Sequence, residues 1–228
     1  MTAHHRGVTR TFKPRRRGLT PGQSERFARL ASGYVLPVDG VPVDGGPVDW
    51  SELFGTSGDV VLDIGFGWGA ALVELAIERP TELVVGIDVH TPGVAWVLDA
   101  IERHDLANVR LVHDDALDFL HRVPAASVAV IRVWFPDPWP KVRQRHRRLI
   151  KPEVVAAFAD RLRVGGVLHL ATDIADYALQ MQHVCDAEPG LRGGVVQRPG
   201  WRPETPFERK GADAGRVVVD LIYERHLS

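Results

Sequence analysis

From Asp59 onward the chain alternates short β-branched runs with stretches whose apolar positions recur at helical spacing. That alternation predicts an α/β fold, a mostly parallel sheet with helices on both faces. Strands are predicted at Val60–Ile64, Leu83–Ile87, Val109–Val112, Val128–Phe135 and Val167–Ala171. Helices fall between them, near Ala70–Glu78, Pro92–Arg103, Asp115–His121, Pro152–Leu162 and Ile174–Ala187. Thr91-Pro92 and Lys151-Pro152 mark two helix starts, because proline at the first helical position loses no hydrogen bond. Two later runs, Gly193–Gln197 and Val217–Tyr223, flank a long polar loop without helical period and predict an antiparallel hairpin finishing the sheet. Ahead of Asp59 the periodicity fails. Residues 1–24 read as a flexible arm, and residues 25–58 as an N-terminal helix followed by a Pro/Gly-rich linker. In that linker Pro-Val-Asp recurs from Pro37, Pro42 and Pro47, a period too short for a repeated structural unit and therefore turn chemistry. Residues 59–228 form the predicted sheet domain.

With 228 residues, 45% of them hydrophobic, the chain can bury a substantial core. No apolar run approaches the roughly 18 to 20 residues of a membrane helix, and no apolar segment follows the Arg-rich N-terminus. Cys185, the only cysteine, cannot form an internal disulfide and is expected in the core, and no Cys/His cluster has zinc spacing. The expectation is a cytoplasmic protein with no metal. The net charge of −1 hides a segregation. Residues 6–17 carry Arg6, Arg10, Lys13, Arg15, Arg16 and Arg17 with no acid, and residues 141–151 carry Lys141, Arg143, Arg145, Arg147, Arg148 and Lys151 with no acid. The rest of the chain is strongly acidic. Basic clusters on an acidic body suit a polyanion partner held at defined places, although either run alone reads equally well as a solvated face.

The first predicted strand runs into Asp63-Ile64-Gly65-Phe66-Gly67-Trp68-Gly69-Ala70. Glycines there let the backbone turn tightly and approach a ligand at the carboxyl end of a sheet. Gly65, Gly67 and Ala70 also satisfy the GxGxxA dinucleotide fingerprint with Asp88 as the ribose acid, so a dehydrogenase stays open on this motif alone. Asp63 shifts the balance, because a pyrophosphate cradle gains nothing from an acid. S-adenosylmethionine (SAM) carries an ammonium and a sulfonium and no phosphate, so carboxylates suit it. Asp88 ends strand two, where it can accept ribose hydroxyls. Asp115 follows strand three, within reach of an adenine edge. Asp114 competes with it, and the pattern does not choose. Any one acid could instead be a helix cap or turn residue, the less favoured reading, but three at the ends of successive strands form a constellation.

Strand four ends in Phe135-Pro136-Asp137-Pro138-Trp139-Pro140-Lys141. Flanking prolines restrict the backbone around Asp137, which suits a carboxylate that must face a reacting group. Trp139 offers a flat surface on which a base can stack, and Lys141 opens the second basic run. Here the sequence resembles the bacterial tRNA (guanine-N7)-methyltransferase family. The resemblance is carried by Asp63–Ala70, Gly86–His90 with Pro92-Gly93-Val94, Asp115-Ala116, Phe135–Lys141 with Arg147-Arg148, Ala171-Thr172-Asp173, Thr205–Arg209 and the arm segment Arg16–Gln23. FPDPW followed by a lysine and arginines is specific; the glycine loop is not.

The resemblance implies a class I SAM-dependent methyltransferase fold, Rossmann-like, with a seven-stranded sheet ending in a reversed hairpin. It implies methyl transfer from SAM to N7 of a guanine in the tRNA variable loop, conventionally position 46. By matching position, Asp63, Gly65, Gly67, Asp88, Asp115 and Asp137 line the SAM site, with Asp137 catalytic. Lys141, Asp173, Thr205, Pro206, Phe207 and Glu208 contact substrate, and Arg143, Arg145, Arg147 and Arg148 bind RNA. The partner is tRNA, with no membrane or obligate protein partner, and the expected state is monomer or homodimer. Three departures stand out. Asp63 and Asp88 replace glutamates common in the family, Pro206 replaces a basic residue, and Arg216 replaces a histidine. Rival readings are a SAM enzyme acting on a small molecule or protein, an NAD-dependent oxidoreductase, and a non-catalytic RNA-binding protein on the same fold.

Overall fold

The computed structural model describes residues 11, 18–36 and 46–227. Eight strands form one sheet: β1 (Val35–Leu36), β2 (Asp59–Ile64), β3 (Glu82–Ile87), β4 (Val109–Val112), β5 (Val128–Trp134), β6 (Leu162–Thr172), β7 (Leu191–Val196) and β8 (Val219–Arg225). Their spatial order is β1-β4-β3-β2-β5-β6-β8-β7. The first six run parallel, and β8 lies antiparallel between β6 and β7. From β2 the chain builds outward through β3 and β4 on one side, then returns to build β5 and β6 on the other. The reversal opens a crevice beyond the carboxyl ends of β2 and β5, where open α/β sheets hold ligands.

Strands buried on both faces are apolar without alternation, as in Asp59–Ile64, where only the first residue is exposed. On one face α3 (Ala70–Glu78) and α4 (Thr91–His104) bury Leu72, Val73, Val94 and Val97. On the other, α5 (Ala116–Leu120), α6 (Pro152–Arg161) and α7 (Ala175–Asp186) bury Phe119, Phe158 and Met181. Each such side chain contributes about 1.5–3 kcal/mol of burial free energy. Cys185 is buried in α7, and burial pushes its thiol up to about 12, a core residue rather than a reactive one.

Four expectations change. The sheet has an eighth strand, the two-residue β1, which pairs with β4 at one edge. Its neighbour α1 (Pro21–Tyr34) begins inside the segment expected to be flexible, started by a capping box: Thr20 accepts from the Gln23 amide and Gln23 Oε1 accepts from the Thr20 amide. Phe27 and Leu30 then pack α1 onto α4. The linker contains a short helix, α2 (Trp50–Phe54), capped by Asp49. The loop between β7 and β8 carries a helix, α8 (Pro206–Asp213), whose sequence PFERKGAD is too polar to show a core-facing stripe. The repeats at Pro37 and Pro42, and the basic residues of 6–17, lie outside the described residues. Among the described residues no helix is long and apolar enough to cross a membrane.

Candidate active site

The glycine loop after β2 turns through three positive φ values, at Gly65 (+78°), Gly67 (+63°) and Gly69 (+79°). Side chains are excluded on both sides of it: a Cβ on Gly69 would meet Val97 at 2.1 Å, and one on Gly93 would meet the Gly67 carbonyl at 1.8 Å. Asp88, just past β3, fastens the loop. Its Oδ2 accepts from the Gly67 amide at 2.6 Å and its Oδ1 from the His90 amide at 2.7 Å. Beyond β4, Asp115 caps α5 by accepting from the Leu117 amide, while Asp114 accepts from the Asp115 amide. The helix-cap reading of Asp115 therefore holds for one of its oxygens. Even so, Asp88, Asp114, Asp115 and Asp137 border one cavity together with Gly65 and Gly67. Both acids of the Asp114-Asp115 pair border it.

Asp63 sits apart from that cavity. It borders a second, smaller one with Trp68, Trp134, Thr205 and Pro206, and the two cavities share Gly65 and Phe135 as lining residues. Its side chain is buried, and its carboxyl is pushed up from 3.8 to about 6, chiefly by burial, with Arg132 pulling it down and Asp88 pushing it up. Arg132 is its register partner on β5 and is itself buried, ion-paired to Glu82 at 2.8 Å.

The Phe135–Lys141 loop carries left-handed backbone at two non-glycine residues, Phe135 (φ +54°) and Trp139 (φ +41°). Such strain persists only where surrounding contacts over-determine it, as at functional sites. Arg148 supplies one of them and ties the loop to α7. It is 1% exposed and donates to the Pro138 carbonyl (2.8 Å), Gln180 Oε1 (2.8 Å) and Asp176 Oδ2 (2.7 Å), with its guanidinium 4.5 Å from the Tyr177 ring centre. The RNA-binding role expected for Arg148 is thereby corrected: its donors face protein, and it anchors the loop. Trp139 is corrected as well. It is 4% exposed, its Nε1 donates to the Thr11 carbonyl at 2.9 Å, and the Arg147 guanidinium lies 4.0 Å from its ring centre, so it offers no open platform. Of the other expected RNA contacts, Lys141, Arg143 and Arg145 are exposed, Arg145 bridging to Asp176.

The expected substrate residues divide in the same way. Thr205 caps α8 by accepting from the Glu208 amide, and Glu208 is buried between Arg198 and Arg202. Burial opposes its charge, but hydrogen bonds from those arginines prevail and hold its carboxyl below the ordinary range. Their structural role is to seat α8, which brings Thr205 and Pro206 to the smaller cavity. Asp173 accepts from Arg216 Nε at 2.7 Å, so the departure at position 216 pairs with a residue expected at the substrate. The Phe207 side chain lies outside the described residues. Sequence reasoning passed over a buried polar stripe across the sheet: Arg132, His169, Asp220 and, from the loop before α8, Arg202. The signal available was a charged residue within an apolar run, as in VAVIRVW.

Solved structures share this architecture. The 16S rRNA methyltransferase KamB aligns with a TM-score of 0.58 at 19% identity, covering 78% of this chain and 93% of that one. An rRNA methylase from Streptococcus thermophilus aligns with a TM-score of 0.52 at 17% identity, covering 75% and 88%. The fold and its crevice are those of a class I methyltransferase. Residues 57–221 match the model of a family described as putative methyltransferase. The tRNA (guanine-N(7)-)-methyltransferases of Streptomyces avermitilis and Xanthomonas axonopodis pv. citri are each 43% identical, covering 98% and 96% of this chain and 77% and 85% of theirs. The chain belongs to the tRNA (guanine-N(7)-)-methyltransferase family.

Proposed function

We propose that this protein transfers the methyl group of SAM to N7 of a guanine in tRNA, at position 46 of the variable loop. The observation that carries this reading is the pair of cavities with Gly65 and Phe135 in common, one rimmed by carboxylates and the other lined by aromatic rings. A cationic donor in the first and a flat base in the second come together at those two residues. The residues fit the donor. When bound, SAM supplies an electrophilic methyl on a sulfonium. Asp88 occupies the Gly67 amide that a pyrophosphate would need, which disfavours a dinucleotide, while its oxygens keep lone pairs for ribose hydroxyls. Asp114 and Asp115 present acceptors for an adenine amine, and Asp63, in the smaller cavity beside the shared Gly65, offers a buried carboxylate to a donor ammonium that reaches past that glycine.

Guanine N7 has an in-plane lone pair and no proton, so no residue need act as a general base. What the protein must do is align the base and accommodate the positive charge that develops on it, and Asp137, held between two prolines, does the second through space. A carboxylate, from Asp137 or Asp173, also accepts from guanine N1–H and the exocyclic amine. N7 lies on the major-groove edge, which side chains cannot read in a continuous A-form helix, so the target sits in irregular RNA. The exposed Lys141, Arg143 and Arg145 grip its phosphates.

The test is incubation of unmodified bulk tRNA with labelled SAM, followed by nuclease mapping. Label in 7-methylguanosine of the variable loop is expected; label in another base or only in small molecules would overturn the assignment. Roughly three phosphate contacts, from Lys141, Arg143 and Arg145, predict that log affinity for tRNA falls with log salt at a slope of about −2 to −3. A flat salt profile removes the RNA contact model.

Asp63 sets a pH dependence. Protonation neutralises the carboxylate facing the donor, so the KM for SAM will rise as pH falls through about 6, approaching about tenfold per pH unit below it. Stability runs the opposite way. The raised value favours the protonated acid in the unliganded fold, a contribution fully present below 3.8 and lost as pH rises through about 6. Steady-state kinetics of wild type and Asp63→Asn from pH 5 to about 8 will show the step only in wild type.

A further inference from the structure

We propose that Trp68 stacks on the acceptor guanine and holds its cationic 7-methyl form more tightly than the neutral base, making it a substrate-contacting residue of the transfer step. The inference rests on the reading above and names the surface the base uses. Trp68 borders the smaller cavity with Phe66, Trp134, Phe135 and Pro206, an apolar lining interrupted by the Asp63 carboxylate. Its side chain is 41% exposed, whereas Trp134 is 8% and Trp139 4% exposed, so of these three tryptophans it is the one with area to offer.

Trp68 is also rigidly presented. It stands between Gly67 and Gly69, both at positive φ, in a loop that cannot shift toward α4 because Val97 fills the space beside Gly69. Its ring meets the buried His90 ring perpendicularly at 4.9 Å, and His90 Nδ1 is itself 3.2 Å from the Gly67 carbonyl. An indole braced in this way gives a stacking surface at little cost in side-chain entropy. Stacking leaves the whole in-plane edge of a purine open, so N7 can face the common lining of Gly65 and Phe135 while the opposite edge meets a carboxylate.

The chemistry of the product strengthens the choice. The N7 lone pair forms the new C–N bond, the sulfonium takes the electron pair of the broken S–C bond, and the purine gains one positive charge. The negative face of an indole attracts a cationic ring more than a neutral one, an increment corresponding to about 2- to 30-fold in affinity. Because the charge grows along the reaction coordinate, the increment acts on the transition state as well as on the product.

The experiment compares full-length wild type, Trp68→Phe and Trp68→Leu. Single-turnover transfer to unmodified tRNA at saturating SAM should fall about 10- to 100-fold in W68L and about 3-fold in W68F, with the SAM dissociation constant from calorimetry within about twofold of wild type. Binding of 7-methylguanosine and of guanosine, titrated with S-adenosylhomocysteine present, should favour the methylated nucleoside in wild type, and that preference should shrink in W68F and vanish in W68L. Wild-type transfer by W68L, a methyl preference that survives the loss of the ring, or a parallel loss of SAM affinity would each overturn the proposal. W68F retains a ring of similar shape, so a folding defect in W68L leaves the preference measurement decisive. Failure of wild type itself to label tRNA guanine would instead overturn the functional reading.

Discussion

Asp137→Ala will lower kcat for tRNA methylation by at least about 10²- to 10³-fold at saturating SAM, while the melting temperature stays near that of wild type. The carboxylate borders the larger cavity and follows Phe135, which lines both cavities. Pro136 and Pro138 restrict its backbone, and the loop around it carries two left-handed non-glycine residues. A strained loop that holds one acid at a cavity rim suits the proposed role, in which that acid stabilises positive charge developing in the transition state. Asp137→Asn separates charge from shape. If through-space stabilisation dominates, the amide will be nearly as inactive as alanine; if acceptance of guanine hydrogen bonds dominates, its remaining carbonyl will retain a measurable fraction of the rate. Single-turnover kinetics with thermal melts decides, and near-normal turnover by Asp137→Ala would remove the role altogether.

Arg148→Met will destabilise the fold by about 1–3 kcal/mol, because it leaves the Pro138 carbonyl without its donor, while the part-exposed Asp176 keeps Arg145. At about 2–4 °C per kcal/mol for a domain of this size, the melting temperature will drop by roughly 2–12 °C. Methyl transfer will fall with it even below the new transition, since the Asp137 loop loses its anchor. Lysine will not restore either property, having no planar fork to reach three acceptors at once. Arg143→Ala provides the contrast: melting will be unchanged, tRNA affinity will weaken, and the salt slope will become shallower by about one. Unchanged melting of Arg148→Met together with a shallower salt slope would return Arg148 to the RNA surface.

The difference between these two arginines shows where legibility stopped. Both stand in the same acid-free run, and in one dimension they are equivalent. The 3₁₀ turn over Val142–Arg147 leaves Arg143 in solvent and turns Arg148 inward toward α7, whose Asp176 and Gln180 are about thirty residues away in sequence. Trp139 was misplaced for the same reason. Local context presents a flat ring in the Phe135–Lys141 loop, and only the assembled molecule supplies Thr11 and Arg147 to cover it.

The central architecture, by contrast, follows from local pattern. Strands buried on both faces are mostly apolar, glycine is favoured where φ is positive, and the acids at the ends of β3 and β4 converge because parallel strands end on the same side of a sheet. Those are short-range or symmetry-driven constraints, and the residues record them directly. The polar helix α8, the two-residue β1 and the buried stripe from Arg132 to Asp220 were decided by partners distant in the chain. The stripe's stability comes from contacts such as Arg132 with Glu82 and His169 with Asp220, and an interaction energy that depends on which segments meet is written into no single stretch of sequence.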